Sequence, residues 1–131
     1  MVLLCEGRQA RDPLAQVAED YLQRLQRYLP TERRYVERLK SESLKSALQG
    51  RCYCIALDEQ GTQLGTEALA KKLQRLESRC DRLCILIGAA DGLSQSIKSK
   101  AQELLALSQM TLPHRLAQVV LLEQLYRACT I

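Results

Sequence analysis

Apolar residues along this chain follow two patterns, continuous runs and helical spacing. These patterns alternate, and they predict strands that alternate with helices. Runs that are apolar throughout are typical of strands covered on both faces; they occupy residues 2–5, 52–57 and 83–87, and further strands are predicted at 107–110 and, from a weaker alternation, at 33–39. Apolar residues at helical spacing follow residues 12, 41, 66, 94 and 115 and predict helices there. This alternation predicts one α/β domain over residues 1–131, with a mostly parallel sheet and helices on both faces.

Capping residues mark where several of these helices start. Asp12 precedes Pro13, whose missing N–H costs nothing in a first turn, and Pro30 should end that helix. Thr66 and Ser94 are the expected caps of two later helices.

Three later segments carry more specific expectations. Residues 58–65 should form a polar loop, and the helix after residue 94 should turn Leu104 and Leu105 inward. The terminal helix, about 115–129, has apolar residues around too much of its circumference for one-sided packing. We therefore expect it to be buried on most faces.

The composition is that of a soluble globular protein, with 47% apolar and 26% charged residues in a chain of 131. No apolar run is long enough to span a bilayer, and the apolar start at residues 1–5 lacks the basic flank of a signal peptide. We expect a cytoplasmic protein that is not associated with a membrane.

The net charge of +4 is concentrated in one region. Residues 24–51 hold eight basic side chains against three glutamates, an excess that suits a polyanion such as RNA, although a solvated helix and edge strand would give the same pattern. Because the chain has five tyrosines and no Trp or Phe, RNA contacts should involve backbone and shape rather than base stacking.

Six cysteines offer thiols that could bind a metal or stay reduced. Cys52 and Cys54 lie two apart in a predicted strand and so point to one face, and Cys80 and Cys84 bracket the start of another strand. Zinc sites prefer cysteines two to four apart on turns, with a second pair and often histidine, but His114 lies far downstream. We expect buried, reduced thiols and no metal.

Candidate chemistry lies in two loops, because ligands of open parallel sheets bind beyond the carboxyl ends of the strands. Residues 88–92 leave a buried strand with glycine at both ends, and residues 108–113 offer backbone polar groups among apolar neighbours, suited to an adenine ring and a thioether. There is no GxGxxG fingerprint or GxSxG elbow. His114 is more typical of a helix start than of a general base, so no catalytic residue is assigned. Methyl transfer, which needs little side-chain chemistry, suits such a site.

Three segments in this order and spacing are specific: Leu86-Ile87-Gly88-Ala89-Ala90-Asp91-Gly92-Leu93-Ser94, Leu107-Ser108-Gln109-Met110-Thr111-Leu112-Pro113-His114 and Glu123-Gln124-Leu125-Tyr126-Arg127-Ala128. On these residues the chain resembles the ribosomal RNA large subunit methyltransferase H family of the SPOUT, or α/β-knot, class. The resemblance covers about residues 52–131, with a weaker match before them.

The resemblance implies a fold, a cofactor and a substrate. The C-terminal segment should thread a loop to form a trefoil knot, and the protein should be a homodimer. S-adenosylmethionine should be bound, and the implied acceptor is pseudouridine N3 of large-subunit ribosomal RNA within the assembled ribosome. The implied cofactor-binding residues are Leu57, Gly88, Ala89, Leu107, Ser108, Gln109, Met110, Thr111 and Leu112.

The sequence also departs from the family pattern. Ala89 replaces the second residue of a glycine pair, Ala90-Asp91 replaces Pro-Glu, and Arg115 and Gln118 stand where the family has proline and arginine. The connection at 40–50 is shorter, and relatives continue beyond residue 131 with a tail rich in His, Pro and Tyr. An alternative reading is therefore a non-catalytic RNA- or ribosome-binding paralogue on the same knotted scaffold.

Overall fold

Strands and helices alternate along the whole chain, as the sequence pattern predicts. A computed structural model describes residues 1–9 and 11–131. Across these residues the strands and helices are, in order, β1 (Val2–Glu6), α1 (Pro13–Leu25), β2 (Glu32–Val36), α2 (Ser41–Ala47), β3 (Cys52–Gln63), α3 (Thr66–Arg79), β4 (Arg82–Ile87), α4 (Gln95–Lys98), β5 (Glu103–Ala106) and α5 (His114–Thr130).

The strands form one sheet in the order β2-β1-β4-β3-β5. Each neighbouring pair is parallel: β1 lies between β2 and β4, and β3 lies between β4 and β5. The parallel α/β sheet is thus confirmed, and the carboxyl ends of all five strands meet at one edge. The trefoil knot stays a prediction, because strand order fixes which strands are neighbours and not how the loops thread.

Both faces of the sheet carry an apolar cluster, because successive strand residues point to opposite sides. On one face, Leu3, Ile55 and Ile85 pack with residues of α1, α3 and α5. On the other face, Leu4 and Leu86 pack with residues of α2 and α4, and with Cys54 and Cys84. Helices on both faces are therefore confirmed, with the three longer helices on one side.

The predicted caps are confirmed at two helices and wrong at a third. Asp12 accepts a hydrogen bond from the backbone N–H of Ala15 (2.8 Å), and Ser94 Oγ accepts one from the N–H of Ile97 (3.4 Å). Thr66 does not cap α3, whose N-cap is Gly65. Thr66 is instead the first helical residue, and its hydroxyl donates to Oε1 of Gln124 (2.7 Å). This bond ties α3 to α5.

The strand boundaries near β3 and β5 differ from the prediction. The expected loop at 58–65 is wrong in its first part, since β3 runs on to Gln63 and Leu105 pairs with both Leu57 and Thr62 across a bulge. Gly61 permits this second approach: a Cβ atom there would lie 2.6 Å from the carbonyl carbon of Leu104.

The last strand lies earlier than residues 107–110. β5 comprises Glu103–Ala106, so Leu104 and Leu105 belong to a strand and not to the preceding helix. The side chain and backbone of Gln102 explain the early end of that helix. Its Oε1 accepts from the N–H of Cys54 (2.6 Å), and its N–H donates to the carbonyl of Cys54 (2.8 Å).

The terminal helix is less buried than expected. Its buried residues follow one stripe at helical spacing: Gln118, Leu121, Leu122, Leu125 and Ala128. Leu116, Val119 and Val120 are half-buried, so the expectation of burial on most faces is wrong for one chain by itself. No helix in the described ranges is long and apolar enough to cross a membrane.

The cysteines are free thiols. Cys5, Cys54 and Cys84 are buried, and the other three are half-buried. Burial raises the pKa of Cys5 to about 12 and, together with the neighbouring Cys84, that of Cys52 to about 11. Within 1–9 and 11–131 no three His, Cys, Asp or Glu residues are placed to hold a metal ion.

Candidate cofactor site

A cavity of about 190 Å³ opens at the carboxyl edge of the sheet. Its walls come from the bulge within β3, the end of β4, the segment after β5 and the first turn of α5, which lie side by side because β4, β3 and β5 are neighbouring parallel strands. The lining residues are Leu57, Asp58, Glu59, Ile87, Gly88, Ala89, Ala90, Asp91, Gly92, Lys98, Leu107, Ser108, Met110, Thr111, Leu112, His114 and Ala117.

The structure brings the predicted cofactor residues together. Leu57, Gly88, Ala89, Leu107, Ser108, Met110, Thr111 and Leu112 line this one cavity. Gln109 is exposed and lies outside the lining. The two loops identified from the sequence therefore face each other across a single site.

Sequence reasoning missed the charged residues of the lining. Nζ of Lys98 lies 3.2 Å from Oδ1 of Asp58, and the side chains are 22% and 10% exposed. Glu59 and Asp91 are exposed at the rim. Asp58 follows Leu57 directly and could have been found from that position, whereas Lys98 is brought to the site by the fold. Three carboxylates against one ammonium give the described lining a negative balance.

The turn after β4 is held by its own backbone. Gly92 has a φ of +77°, a conformation that favours glycine, and its N–H donates to the carbonyl of Ala89 (2.8 Å). A Cβ atom on Gly88 would lie 2.7 Å from the backbone nitrogen of Leu93. Glycine at 88 is therefore required by the return of its own loop.

A buried carboxylate, that of Glu6, accepts a hydrogen bond from this turn. Oε2 of Glu6 accepts from the N–H of Leu39 (2.8 Å), and Oε1 accepts from the N–H of Ala89 (3.4 Å). Glu6 was not identified from the sequence, where it reads as the polar end of a short strand.

The opposite wall is more open. Ser108 Oγ accepts from the N–H of Met110 (3.0 Å), and the side chain of Met110 is 76% exposed at the mouth of the cavity. Pro113 precedes α5 without a side-chain cap, and its carbonyl accepts from the N–H of Ala117 (2.9 Å). His114 is the first residue of α5, in agreement with its predicted place at a helix start.

Comparison with known proteins identifies the family. The family described as predicted SPOUT methyltransferase matches residues 1–131. A ribosomal RNA large subunit methyltransferase H from Syntrophotalea carbinolica is 38% identical over 143 residues, which cover 98% of this chain and 92% of the relative. The chain belongs to this SPOUT methyltransferase family. The resemblance found in the sequence is thereby confirmed.

Solved structures share the fold at low sequence identity. A probable methylase family protein from Haemophilus influenzae has a TM-score of 0.62 and 13% identity, over 98% of this chain and 65% of that one. The SpoU methyltransferase AviRb from Streptomyces viridochromogenes, in complex with the cofactor AdoMet, has a TM-score of 0.54 and 11% identity, over 97% and 57%. At these identities the likeness supports the SPOUT architecture alone.

The basic region of this SPOUT chain is partly neutralised. Arg33 pairs with Glu19 at 2.9 Å, Arg34 with Glu32 at 2.8 Å and Arg51 with Asp81 at 3.2 Å. Four exposed cations form what we call the basic edge, near α2 and α4, and make no ion pair with any residue that the structure describes: Arg38, Lys40, Lys45 and Lys100. Nζ of Lys100 donates to Oγ of Ser41 at the start of α2 (2.6 Å), which joins the two parts of this edge.

Proposed function

We propose that this chain is an S-adenosylmethionine-dependent methyltransferase that acts on N3 of a pseudouridine in large-subunit ribosomal RNA. One observation carries the proposal: in a member of the SPOUT methyltransferase family, loops 88–92 and 107–112 line the same cavity at the carboxyl edge of a parallel sheet. The relatives' name supports a ribosomal RNA substrate.

The lining fits the chemistry of the cofactor. Leu57, Leu107 and Leu112 offer apolar surface for an adenine ring, and the negative balance of the charged lining suits a sulfonium cation. The cavity of about 190 Å³ is smaller than the roughly 300–1,000 Å³ of pockets that enclose a drug-sized ligand. Part of the cofactor would therefore lie in the mouth beside Met110.

The chain's own residues would mainly bind and align. S-adenosylmethionine supplies a methyl group on an already activated sulfonium, so the protein gains most by holding donor and acceptor in line. Asp58 and Lys98 would fix the floor of the site, and the 108–112 segment would close its outer wall. We assign no general base.

The basic edge would bind the RNA backbone. Its cations lie beside the carboxyl edge, since α2 and α4 both follow strand ends there. Lysine and arginine contacts to phosphate add affinity without reading sequence. The substrate would therefore be selected by shape, as the scarcity of aromatic side chains also suggests.

We also propose a homodimer, on the evidence of one helix surface. Leu14, Val17 and Tyr28 of the α1 segment are 38%, 39% and 51% exposed, at helical spacing with Tyr21. The ring of Tyr126 on α5 lies 6.2 Å from that of Tyr21 and 6.0 Å from that of Tyr28. This apolar stripe, with the half-buried side of α5, suits an isologous contact between two copies.

Calorimetric titration with S-adenosylmethionine tests the cofactor claim. Asp58→Asn should weaken binding several-fold, because it removes the negative charge of a largely buried side chain in the lining. Asp81→Asn is the matched control: its carboxylate also lies 3.2 Å from a cation, Arg51, but at the other edge of the sheet. No detectable binding by the wild type at millimolar cofactor would refute the claim.

Transfer of a labelled methyl group to unmodified ribosomes tests the reaction, with mapping of the product to N3 of a pseudouridine. Salt-sensitive ribosome binding without incorporation of label would instead favour the non-catalytic paralogue. Incorporation into another nucleotide would keep the enzyme and refute the acceptor.

A further inference from the structure

Glu6 occupies a central position at the carboxyl edge. It is the last residue of β1, which lies between β2 and β4 in the sheet. The residue is only 8% exposed, so its carboxylate depends on protein donors to replace water. The loops that follow the two neighbouring strands supply those donors.

The two carboxylate oxygens serve different loops. Oε2 accepts from the N–H of Leu39, just before α2, at 2.8 Å. Oε1 accepts from the N–H of Ala89 in the cavity wall at 3.4 Å. A carboxylate suits this place because it presents two acceptor oxygens and no donor.

The bond to Ala89 completes the internal bonding of the turn. The carbonyl of Ala89 already accepts from the N–H of Gly92 (2.8 Å). With its N–H held by Glu6, Ala89 has both backbone polar groups engaged before any ligand binds. The wall formed by residues 88–92 is therefore shaped by the protein itself.

We propose that Glu6 is a positioning residue that presets residues 88–92 for cofactor binding and fixes them to the start of α2. The proposal rests on the function proposed above. Glu6 lies outside the cavity lining and would act through Ala89, so its loss should lower affinity for the cofactor and leave the chemical step nearly intact.

Two substitutions of Glu6 remove different numbers of acceptor atoms, so they should lower cofactor affinity to different extents. Glu6→Val removes both acceptors, and Glu6→Gln keeps one carbonyl oxygen at the same chain length. We expect S-adenosylmethionine affinity to fall roughly threefold to tenfold in Glu6→Val, because Ala89 loses an acceptor at 3.4 Å, which is longer than an ordinary N–H···O bond, and less in Glu6→Gln. KM for the cofactor should rise while kcat changes little.

Glu103→Gln is the matched control. Oε2 of Glu103 accepts from Tyr53 (2.6 Å) and Lys72 (2.7 Å), but the residue begins β5 at the amino edge of the sheet. It should lose stability without losing cofactor affinity. Equal affinity losses in Glu6→Val and Glu103→Gln would overturn the proposal, since they would indicate general loosening.

Amide hydrogen exchange of the wild type, without cofactor, keeps the proposal testable if Glu6→Val does not fold. The amides of Leu39 and Ala89 should exchange far more slowly than that of exposed Ala90, and faster in Glu6→Gln. Exchange of the Ala89 amide as fast as that of Ala90 would overturn the proposal. Failure of the wild type to bind cofactor would refute the proposed function, whereas unchanged affinity in both Glu6 variants would refute only the role of Glu6.

Discussion

Substituting Gly88 with alanine tests whether the turn after β4 shapes the site. The added Cβ would lie 2.7 Å from the nitrogen of Leu93 and 2.8 Å from the carbonyl carbon of Gly92. Both neighbours are backbone atoms, so no flexible side chain can move aside. To reach the 3.4 Å at which ordinary contact begins, the backbone of Gly92 and Leu93 must move away from residue 88 by about 0.7 Å. Overpacking of this kind costs about 1–3 kcal/mol.

Thermal unfolding and cofactor titration together measure the effect. At about 4 °C per kcal/mol for a domain of this size, Gly88→Ala should lower Tm by about 4–12 °C and weaken S-adenosylmethionine binding at least tenfold. Gly65→Ala is the control, because its Cβ meets nothing within 4 Å; it should leave cofactor affinity unchanged and lower Tm only slightly, since Gly65 is the N-cap of α3 and alanine caps less well than glycine. A Gly88→Ala variant with normal Tm and normal affinity would refute the reasoning, since it would mean that the wall tolerates displacement.

Three further predictions concern other parts of the molecule. Gly61→Ala should lower Tm by a similar amount, because its Cβ would meet the Leu104 backbone at 2.6 Å. A wild-type Tm would contradict this close approach between β3 and β5. Burial acts to raise the pKa of Glu103, but hydrogen bonds from Lys72 and Tyr53 outweigh it and lower that pKa below its ordinary 4.5. The resulting stability is present above pH 4.5 and is lost as the pH falls through the lowered pKa, so Tm should drop less between about pH 5 and pH 3 in Glu103→Gln than in the wild type; parallel Tm curves would contradict this. Val17→Asp should convert the proposed dimer to a monomer in light scattering, whereas Gln23→Asp, on an exposed part of α1 outside this apolar stripe, should not; a monomeric wild type would exclude the dimer.

The strands could be predicted because their signal is local. Residues 52–57 and 83–87 are apolar throughout, as strands between two layers of helices must be, and both lie in the sheet where expected. β5 was misplaced because Leu104, Leu105 and Leu107 suit either a helix or a strand by pattern. Pairing with β3 decided between them, through contacts with residues some 50 positions earlier in the chain.

The same contrast between local signals and long-range contacts applies to the site. The two loops could be predicted because strand ends and glycines can be read in the sequence, and the carboxyl edge of a parallel sheet collects them. The charged contacts could not be predicted from the sequence. Lys98 meets Asp58 across 40 residues and Glu6 meets Ala89 across 83, and both depend on the order β1-β4-β3, which the alternation of strands and helices leaves open.

The two walls of the cavity differ in how firmly they are held, and this difference suits a site that must both recognise and release its cofactor. In residues 88–92 the backbone is engaged by Gly92 and Glu6 and tightly packed at Gly88. In residues 108–112, among the residues described, the bond from Met110 to Ser108 is the local restraint, and Met110 and Thr111 are exposed. A preset wall keeps the entropic cost of binding low, whereas an open wall can move aside for exchange of the cofactor. Recognition would therefore depend mainly on the β4 turn, and exchange on the segment between β5 and α5.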